Sequence, residues 1–192
     1  MLWCKFFKVH PELNPEMIPS FLKPTIDFMK TDEGKEFTAI LKSEGLIILE
    51  KDIFTHNADI ICHQVNCQGV MGRGIAKYIK DNFPECFEEY KNFCDDFENK
   101  QELLGQCLIV DVGDKFIANL FGQLTYGSNG CYTDYNAFEQ ALIKVKLEAM
   151  QDNLSVAIPF GIGSSLAGGD WNTISNIIKR VFADYPVIIC KI

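Results

Sequence analysis

Hydrophobic runs alternate with amphipathic stretches along most of the chain, and the two patterns predict different elements. Residues 59–66 are nearly continuous in apolar side chains, which is typical of a strand buried on both faces. Further strands are predicted at 45–53, 108–112, 116–121, 154–160 and 186–192. Helices are predicted at 71–82, from Pro84 onward, from Thr133 or Asp134 to Met150, and at 171–182. This alternation indicates an α/β fold: a three-layer α/β/α sandwich with a central mixed sheet.

The first 44 residues have a different pattern from the rest of the chain. Prolines at positions 11, 15, 19 and 24 restrict helix to short pieces in the first half of this segment. Residues 26–42 have the apolar spacing of a helix. We therefore predict a partly helical N-terminal extension at 1–44 and a single domain at 45–192.

Length, composition and charge restrict the class of protein. A chain of 192 residues with 47% hydrophobic content fits one compact domain. The net charge of -8 argues against a broad surface for nucleic acid or anionic membrane. No apolar run approaches the roughly 18 residues of a spanning helix, and the first residues lack the apolar segment of a signal peptide. We expect a cytoplasmic monomer without a membrane partner.

The cysteines and histidines give no sign of a disulfide framework or a metal site. The eight cysteines are dispersed, and none forms a Cys-x-x-Cys pair. Cys62, Cys107 and Cys190 lie in predicted strands, which favours reduced, buried thiols. Three scattered histidines offer no zinc-ligand spacing. We predict neither a structural metal nor a cofactor.

Two glycine-rich stretches, 66–76 and 159–171, each follow a predicted strand and precede a predicted helix. Glycines let the backbone approach a phosphate closely, and a helix N-terminus adds free N–H groups and a positive partial charge. Two such stretches suggest one ligand held from both sides. A pyrophosphate would suit this arrangement.

Five features in this order resemble the macrodomains, a family that binds ADP-ribose and its derivatives. They lie at 51–53, at 63–66 leading into 71–76, at 119–123, at 133–135, and at 159–171. The resemblance covers residues 45–192 and is to the branch described as ADP-ribose-1″-phosphate processing proteins.

The resemblance implies a role for residues in each feature. Asp52 would accept a hydrogen bond from the adenine amino group, with Ile53 beside the ring, and Asn66 would contact the distal ribose. Apart from the resemblance, Phe160 lies at a predicted strand end beside the second stretch, where it could stack on adenine or form a wall for the distal ribose, or be a packing residue. Backbone amides would bind the diphosphate from both sides: Gly72, Arg73, Gly74 and Ile75 from the first stretch, and Gly161, Ile162, Gly163, Ser164, Ser165 and Leu166 from the second.

The chain departs from the related glycohydrolases that remove terminal ADP-ribose from proteins. Those enzymes form a covalent adduct through a lysine just after the strand that corresponds to 116–121, and residues 119–123 here contain no lysine. Their catalytic aspartate follows the second glycine loop, where this chain has Ala167. Asp170 lies three positions later and could take that place only if the loop bends differently. Because the lysine is absent, a lysyl-adduct mechanism is not expected.

Three residues are candidates for catalysis, and each has a structural alternative. Asp170 is a general base or a helix N-cap. Asn66 positions the ligand or shapes a turn, and His63 is a general acid or a hydrogen-bonded core residue. We predict hydrolysis at the distal ribose, of ADP-ribose-1″-phosphate or of an ADP-ribosylated acceptor. A non-catalytic ADP-ribose reader is the alternative, whereas Lys77 at the third glycine position argues against a nicotinamide-dependent oxidoreductase.

Overall fold

Six strands form one mixed sheet in a computed structural model that describes residues 46–127 and 129–191. They are β1 (Ile47–Glu50), β2 (Ile60–Asn66), β3 (Cys107–Asp111), β4 (Phe116–Gln123), β5 (Val156–Pro159) and β6 (Val187–Lys191). Their order in the sheet is β1-β6-β5-β2-β4-β3. Neighbouring strands are parallel except β3, which is antiparallel to β4. The predicted N-terminal extension lies outside the described residues, and its boundary stays a prediction.

Within the described part of the chain, four helices cover the two faces of the sheet. They are α1 (Gly74–Asn82), α2 (Pro84–Asp95), α3 (Tyr135–Asp152) and α4 (Trp171–Val181), and two short 3-10 helices lie at Ile53–Thr55 and Lys100–Leu103. One buried cluster joins α3 and α4 to the sheet through residues such as Phe138 and Ile178. A second joins α1 and α2 to the opposite face through Ile79 and Tyr90. The predicted three-layer α/β/α sandwich is confirmed.

The burial of β2 and β4 explains why the sheet holds together at its centre. Six of the seven residues in β2 are buried, as are seven of the eight in β4. Apolar side chains on both faces of a central strand are removed from water by the helices on either side. Asp134 then begins α3 by accepting a hydrogen bond from the N–H of Ala137 at 2.9 Å.

Several predicted boundaries differ from the observed ones. The helix predicted at 71–82 begins at Gly74, because the backbone at 67–73 forms a loop. The strand predicted at 45–53 ends at Glu50, since Asp52 caps a 3-10 helix by accepting from the N–H of Phe54 at 2.8 Å. The strand predicted at 116–121 continues to Gln123.

The seven described cysteines are all free. Cys62, Cys67, Cys86, Cys94 and Cys190 are buried, Cys107 is half-buried, and Cys131 is exposed. Burial raises the pKa of Cys67 to about 12, so that thiol stays protonated at pH 7. Among residues 46–127 and 129–191, no helix has the length and apolar character to cross a membrane. The same residues contain no cluster of three or more potential metal ligands.

Candidate functional site

The two glycine-rich stretches meet at one end of the sheet because β2 and β5 are parallel neighbours. We call residues 67–73, between β2 and α1, the first glycine loop, and residues 160–170, between β5 and α4, the second glycine loop. The second loop is left-handed at Gly161 and Gly163, with φ of 75° and 69°. Side chains other than glycine adopt this conformation with strain, so the path of the loop depends on these glycines.

Two adjoining cavities lie between the loops. Cavity A has a volume of about 500 Å³ and cavity B of about 520 Å³. Both are lined by Gln64, Arg73, Ala76, Gln123, Ser165, Leu166 and Ala167. Cavity A continues along the second loop, and its remaining lining is His63, Gly74, Ile75, Pro159, Phe160, Gly161, Ile162 and Gly163. Cavity B continues along the first loop, and its remaining lining is Val65, Asn66, Val70, Gly72, Tyr126 and Gly127.

The start of α1 approaches the second glycine loop at Gly74 and Leu166. A methyl group placed on Gly74 would lie 3.2 Å from Cδ1 of Leu166, which is tighter than most side-chain contacts. Both cavities include Leu166 in their lining. Leu166 therefore lies where cavity A adjoins cavity B.

Asn66 holds the first glycine loop in shape. Its Oδ1 accepts hydrogen bonds from the N–H groups of Gln68 at 2.9 Å and Val70 at 3.3 Å, and its Nδ2 donates to the carbonyl of Val70 at 2.6 Å. From α2, the hydroxyl of Tyr90 donates to the Asn66 carbonyl, with 2.7 Å between the two oxygens. The predicted turn chemistry of Asn66 is present, and the residue also lines cavity B.

Contacts with distant residues hold the second glycine loop. Thr133 donates from its hydroxyl to the carbonyl of Gly163 at 2.7 Å, and the N–H of Gly169 donates to that same carbonyl at 2.9 Å. The N–H of Tyr132 donates to the carbonyl of Ala167 at 2.7 Å. Thr133 in turn accepts from Nε2 of Gln64 at 2.9 Å, which joins the loop to β2.

Asp170 caps α4 and is exposed to solvent. Its Oδ2 accepts from the N–H of Thr173 at 2.7 Å and from the Thr173 hydroxyl at 2.8 Å. These hydrogen bonds favour the ionised form and lower the pKa of Asp170 below its usual value. The carboxylate is therefore charged at pH 7, although Asp170 lines neither cavity.

His63 is buried in β2, on the face covered by α1 and α2. Its Nε2 lies 2.7 Å from Oδ1 of Asn119. Because Nδ2 of Asn119 donates to the carbonyl of Leu108, Oδ1 is the acceptor, and Nε2 of His63 carries the proton. Burial lowers the pKa of His63 to about 4. At pH 7 the ring is neutral and its proton is directed at Asn119, which gives no support to a general-acid role.

Asp52 and Ile53 lie after β1, and neither lines cavity A or cavity B. The side chain of Asp52 accepts from Phe54 N–H and is half-buried, while Ile53 is buried in the core. Phe160 in cavity A packs against Trp171, with ring centroids 4.5 Å apart. Of the described residues that line the two cavities, Arg73 alone is charged at pH 7, since His63 is neutral.

Comparison with known proteins gives relatives that act on ADP-ribose derivatives. No family model matches the chain. A DNA ADP-ribosyl glycohydrolase of Mycobacterium tuberculosis is 30% identical over 142 residues, which are 70% of this chain and 38% of that protein. An ADP-ribose 1″-phosphate phosphatase of Candida glabrata is 30% identical over 112 residues, which are 52% of this chain and 61% of that protein.

A solved structure agrees with these relatives on the family. The macrodomain of Mycobacterium tuberculosis DarG superposes with a TM-score of 0.62 and 27% identity, over 76% of this chain and 97% of that one. The chain belongs to the macrodomain family. This macrodomain spans 38% and 61% of the length of the two relatives above.

The macrodomain brings most of the predicted site residues to the two cavities and leaves a few outside. Asn66, Gly72, Arg73, Gly74 and Ile75 line them from the first side, and Phe160, Gly161, Ile162, Gly163, Ser165 and Leu166 from the second. Ser164 lies outside both, and its hydroxyl donates to the carbonyl of Gly161 at 2.9 Å. The functional role of each residue stays a prediction.

Sequence reasoning missed Gln64 and Gln123, which line both cavities. Alternation along β2 places Gln64 on the same face as Asn66, two positions earlier, so the strand pattern carried a signal for it. Gln123 gave a weaker signal, because β4 was predicted to end at Phe121. The Gln123 amide accepts from Nε2 of Gln64 at 2.8 Å, which only the pairing of β2 with β4 makes possible.

Proposed function

We propose that this macrodomain binds ADP-ribose or a derivative and hydrolyses it at the distal ribose. The observation that carries the proposal is the pair of adjoining cavities between the two glycine loops, which share Arg73 and Leu166 in their lining. ADP-ribose has two bulky ends, adenosine and the distal ribose, connected by a narrow diphosphate. A ligand of this shape would place one end in each cavity and the diphosphate between the loops.

Backbone amides of the two loops would bind the diphosphate. The first loop leads into a helix N-terminus at Gly74, and the second loop has left-handed glycines at Gly161 and Gly163. Backbone N–H groups at such positions can bind an anion. Binding through amides also suits a chain whose net charge is -8, with Arg73 as the one charged side chain among the described residues that line the cavities. We assign cavity A to adenosine, beside Phe160, with Asp52 and Ile53 as the more distant adenine contacts.

The distal ribose would occupy cavity B beside Asn66. Nδ2 of Asn66 has two hydrogens, and the Val70 carbonyl takes one of them, so the second can bind a ribose hydroxyl or a water. A water held there would attack C1″ of the distal ribose, or the phosphorus of a 1″-phosphate. The bond to the leaving group would break, and the leaving group would depart with a proton that the water gives up. Most of the acceleration would come from orientation of the reactants and from amide stabilisation of charge. Asp170 is the candidate base, because its carboxylate is ionised at pH 7.

A non-catalytic reader is the second candidate, and the position of Asp170 favours it. The carboxylate is engaged by Thr173 as a helix cap and lines neither cavity. A reader would use the same two cavities for affinity alone. The names of the two relatives, a glycohydrolase and a phosphatase, support the hydrolase instead.

Calorimetric titration with ADP-ribose tests binding. Asp52→Ala should weaken affinity about tenfold, because a charged group accepts the adenine amine in this proposal. Asp111→Ala is a matched control: Asp111 also accepts from a backbone N–H two positions later, Gly113 at 2.8 Å, but it lies at the end of β3. Wild-type protein that shows no heat of binding would contradict the proposal.

Turnover separates the hydrolase from the reader. Wild type and Asp170→Asn would be incubated with ADP-ribose-1″-phosphate, an ADP-ribosylated protein and ADP-ribosylated DNA, and released ADP-ribose or phosphate would be measured. Asparagine retains a cap oxygen but cannot take a proton, so a loss of turnover with unchanged binding would identify Asp170 as the base. Binding without turnover on all three substrates would favour the reader. The monomeric state and cytoplasmic location stay predictions.

A further inference from the structure

Gln64 connects four segments of the chain at the floor of both cavities. From β2, its Nε2 donates to Oε1 of Gln123 in β4 at 2.8 Å and to the hydroxyl of Thr133 before α3 at 2.9 Å. The Thr133 hydroxyl donates onward to the carbonyl of Gly163 at 2.7 Å. Both hydrogens of Nε2 are used, and the chain of bonds ends in the second glycine loop.

The other end of the Gln64 amide lies in a slot between two glycines. A Cβ built on Gly122 would lie 2.8 Å from Oε1 of Gln64, and one built on Gly163 would lie 2.7 Å from it. Gly122 is not among the left-handed glycines, so its φ does not require the absence of a side chain. The close approach of the Gln64 side chain explains instead why position 122 is a glycine. Oε1 is buried and without a hydrogen-bond partner within the described part of the chain.

A buried amide acceptor without a partner is costly, so an apolar side chain of equal size would be expected if Gln64 only filled space. The two donated bonds set the amide orientation and thereby place Oε1 in the slot. The Thr133 hydroxyl binds the carbonyl of Gly163, and Oε1 of Gln64 occupies the space that a side chain at Gly163 would need. These two contacts fix the position of Gly163 relative to β2 and β4.

We propose that Gln64 is the positioning residue of the second glycine loop and sets the separation of the two loops across the diphosphate site. This inference rests on the proposed function, because the loop separation matters only if a ligand lies between them. Gln64 itself lines both cavities, it acts on the second glycine loop through Thr133 and Gly163, and it takes no part in a chemical step.

Two substitutions at Gln64 test the inference by ADP-ribose titration. Gln64→Leu preserves the volume and removes both donated bonds, so affinity should fall about tenfold. Ser155→Ala is the matched control, because Ser155 is fully buried and bonded to Asp59, with its hydroxyl accepting from the Asp59 N–H at 2.7 Å, at the opposite end of β5. It should lower the melting temperature by a similar amount and leave affinity unchanged.

Gln64→Glu tests the donated hydrogen bonds through the pH dependence of ADP-ribose affinity, which a space-filling role of Gln64 would leave unchanged. An ionised carboxylate cannot donate to Gln123 or Thr133, whereas a protonated one restores one of the two bonds. Burial raises the pKa of such a carboxyl, so its protonated fraction increases as the pH falls from 8 to 5.5. The affinity deficit against wild type should fall from about tenfold at pH 8 to about twofold at pH 5.5. Gln123 and Thr133 do not titrate, and the pKa of His63, on the neighbouring position of β2, is about 4.

The outcomes are distinct for the two proposals. Wild-type protein that does not bind ADP-ribose would overturn the proposed function together with this inference. Wild-type binding that is matched by Gln64→Leu, or a Gln64→Glu deficit that is constant with pH, would overturn the inference alone. If Gln64→Leu does not fold, the pH dependence of Gln64→Glu decides the question.

Discussion

The two glycine loops lie across the same site, but they are held in different ways. One residue, Asn66, makes the defining hydrogen bonds of the first loop, and its partners lie two to four positions away. The second loop depends on Thr133, 30 positions from Gly163, and on Gln64, 69 positions from Thr133. The first loop is thus determined by local sequence, whereas the second takes its shape from the assembled sheet.

The largest expected effect comes from a methyl group at Gly168 in the second loop. Gly168 has a φ of 68°, and a Cβ there would lie 2.3 Å from the carbonyl oxygen of Gly130. Backbone strain and this clash should together make Gly168→Ala destabilising by about 2–5 kcal/mol in urea unfolding. Gly113→Ala is the control, because Gly113 has a φ of 99° but open space around it, and should cost about 1–2 kcal/mol. Equal losses would mean that the second loop tolerates displacement.

The next effect is in the first loop. Asn66→Ala removes the acceptor for two N–H groups and the donor to Val70, and should lower the free energy of unfolding by about 2–3 kcal/mol. Gln68→Ala, at an exposed position in the same loop, should change it by less than about 0.5 kcal/mol. Comparable losses would contradict the idea that Asn66 alone organises this loop.

A smaller effect is expected at the contact between α2 and the first loop. Tyr90 is fully buried and donates its hydroxyl to the Asn66 carbonyl at 2.7 Å. Tyr90→Phe should cost about 1 kcal/mol, because one buried acceptor loses its partner. Since the loop has its own local bonds, amide hydrogen exchange at Gln68 and Val70 should change little. A large rise in exchange there would show that α2, rather than Asn66, holds the loop.

The smallest effect is expected from Asp170 at the end of the second loop. Its pKa is lower in the folded protein than the usual 3.8, so its contribution to stability is present above that value. This contribution disappears as the pH falls through the folded pKa. Asp170→Ala should therefore lower the melting temperature at pH 7, and the difference from wild type should vanish in strong acid. A difference that is independent of pH would contradict the role of the charged cap.

Features with local causes could be predicted from the sequence. Asp134 as a cap and Pro84 at a helix start follow from residue type at a position, and both are observed. The sandwich followed from the alternation of strands and helices. The start of α1 at Gly74 could not be predicted, because the apolar spacing of 71–82 does not show that Asn66 draws the preceding residues into a loop.

Features that depend on contacts between residues far apart in sequence could not be predicted in this way. The side of the sheet on which His63 lies follows from alternation, but its bond to Asn119 depends on the register of β2 against β4. Gln64 has the same dependence, because its partners come from β4 and from the segment before α3. Pairing between strands far apart in sequence is decided by tertiary structure, which a single strand pattern does not contain.

The adjacency of β2 and β5 has a consequence for how the protein is made. These strands are neighbours in the sheet, yet the residues that precede them, Asp59 and Ser155, contact each other across 96 positions. Closing so long a segment is entropically unfavourable and slows folding. A chain emerging from the ribosome exposes its N-terminal half first. A nascent polypeptide that has been synthesised as far as α2 contains the first glycine loop but not yet β5 or the second glycine loop. A ligand that needs both loops can therefore stabilise the protein only at the last stage of folding.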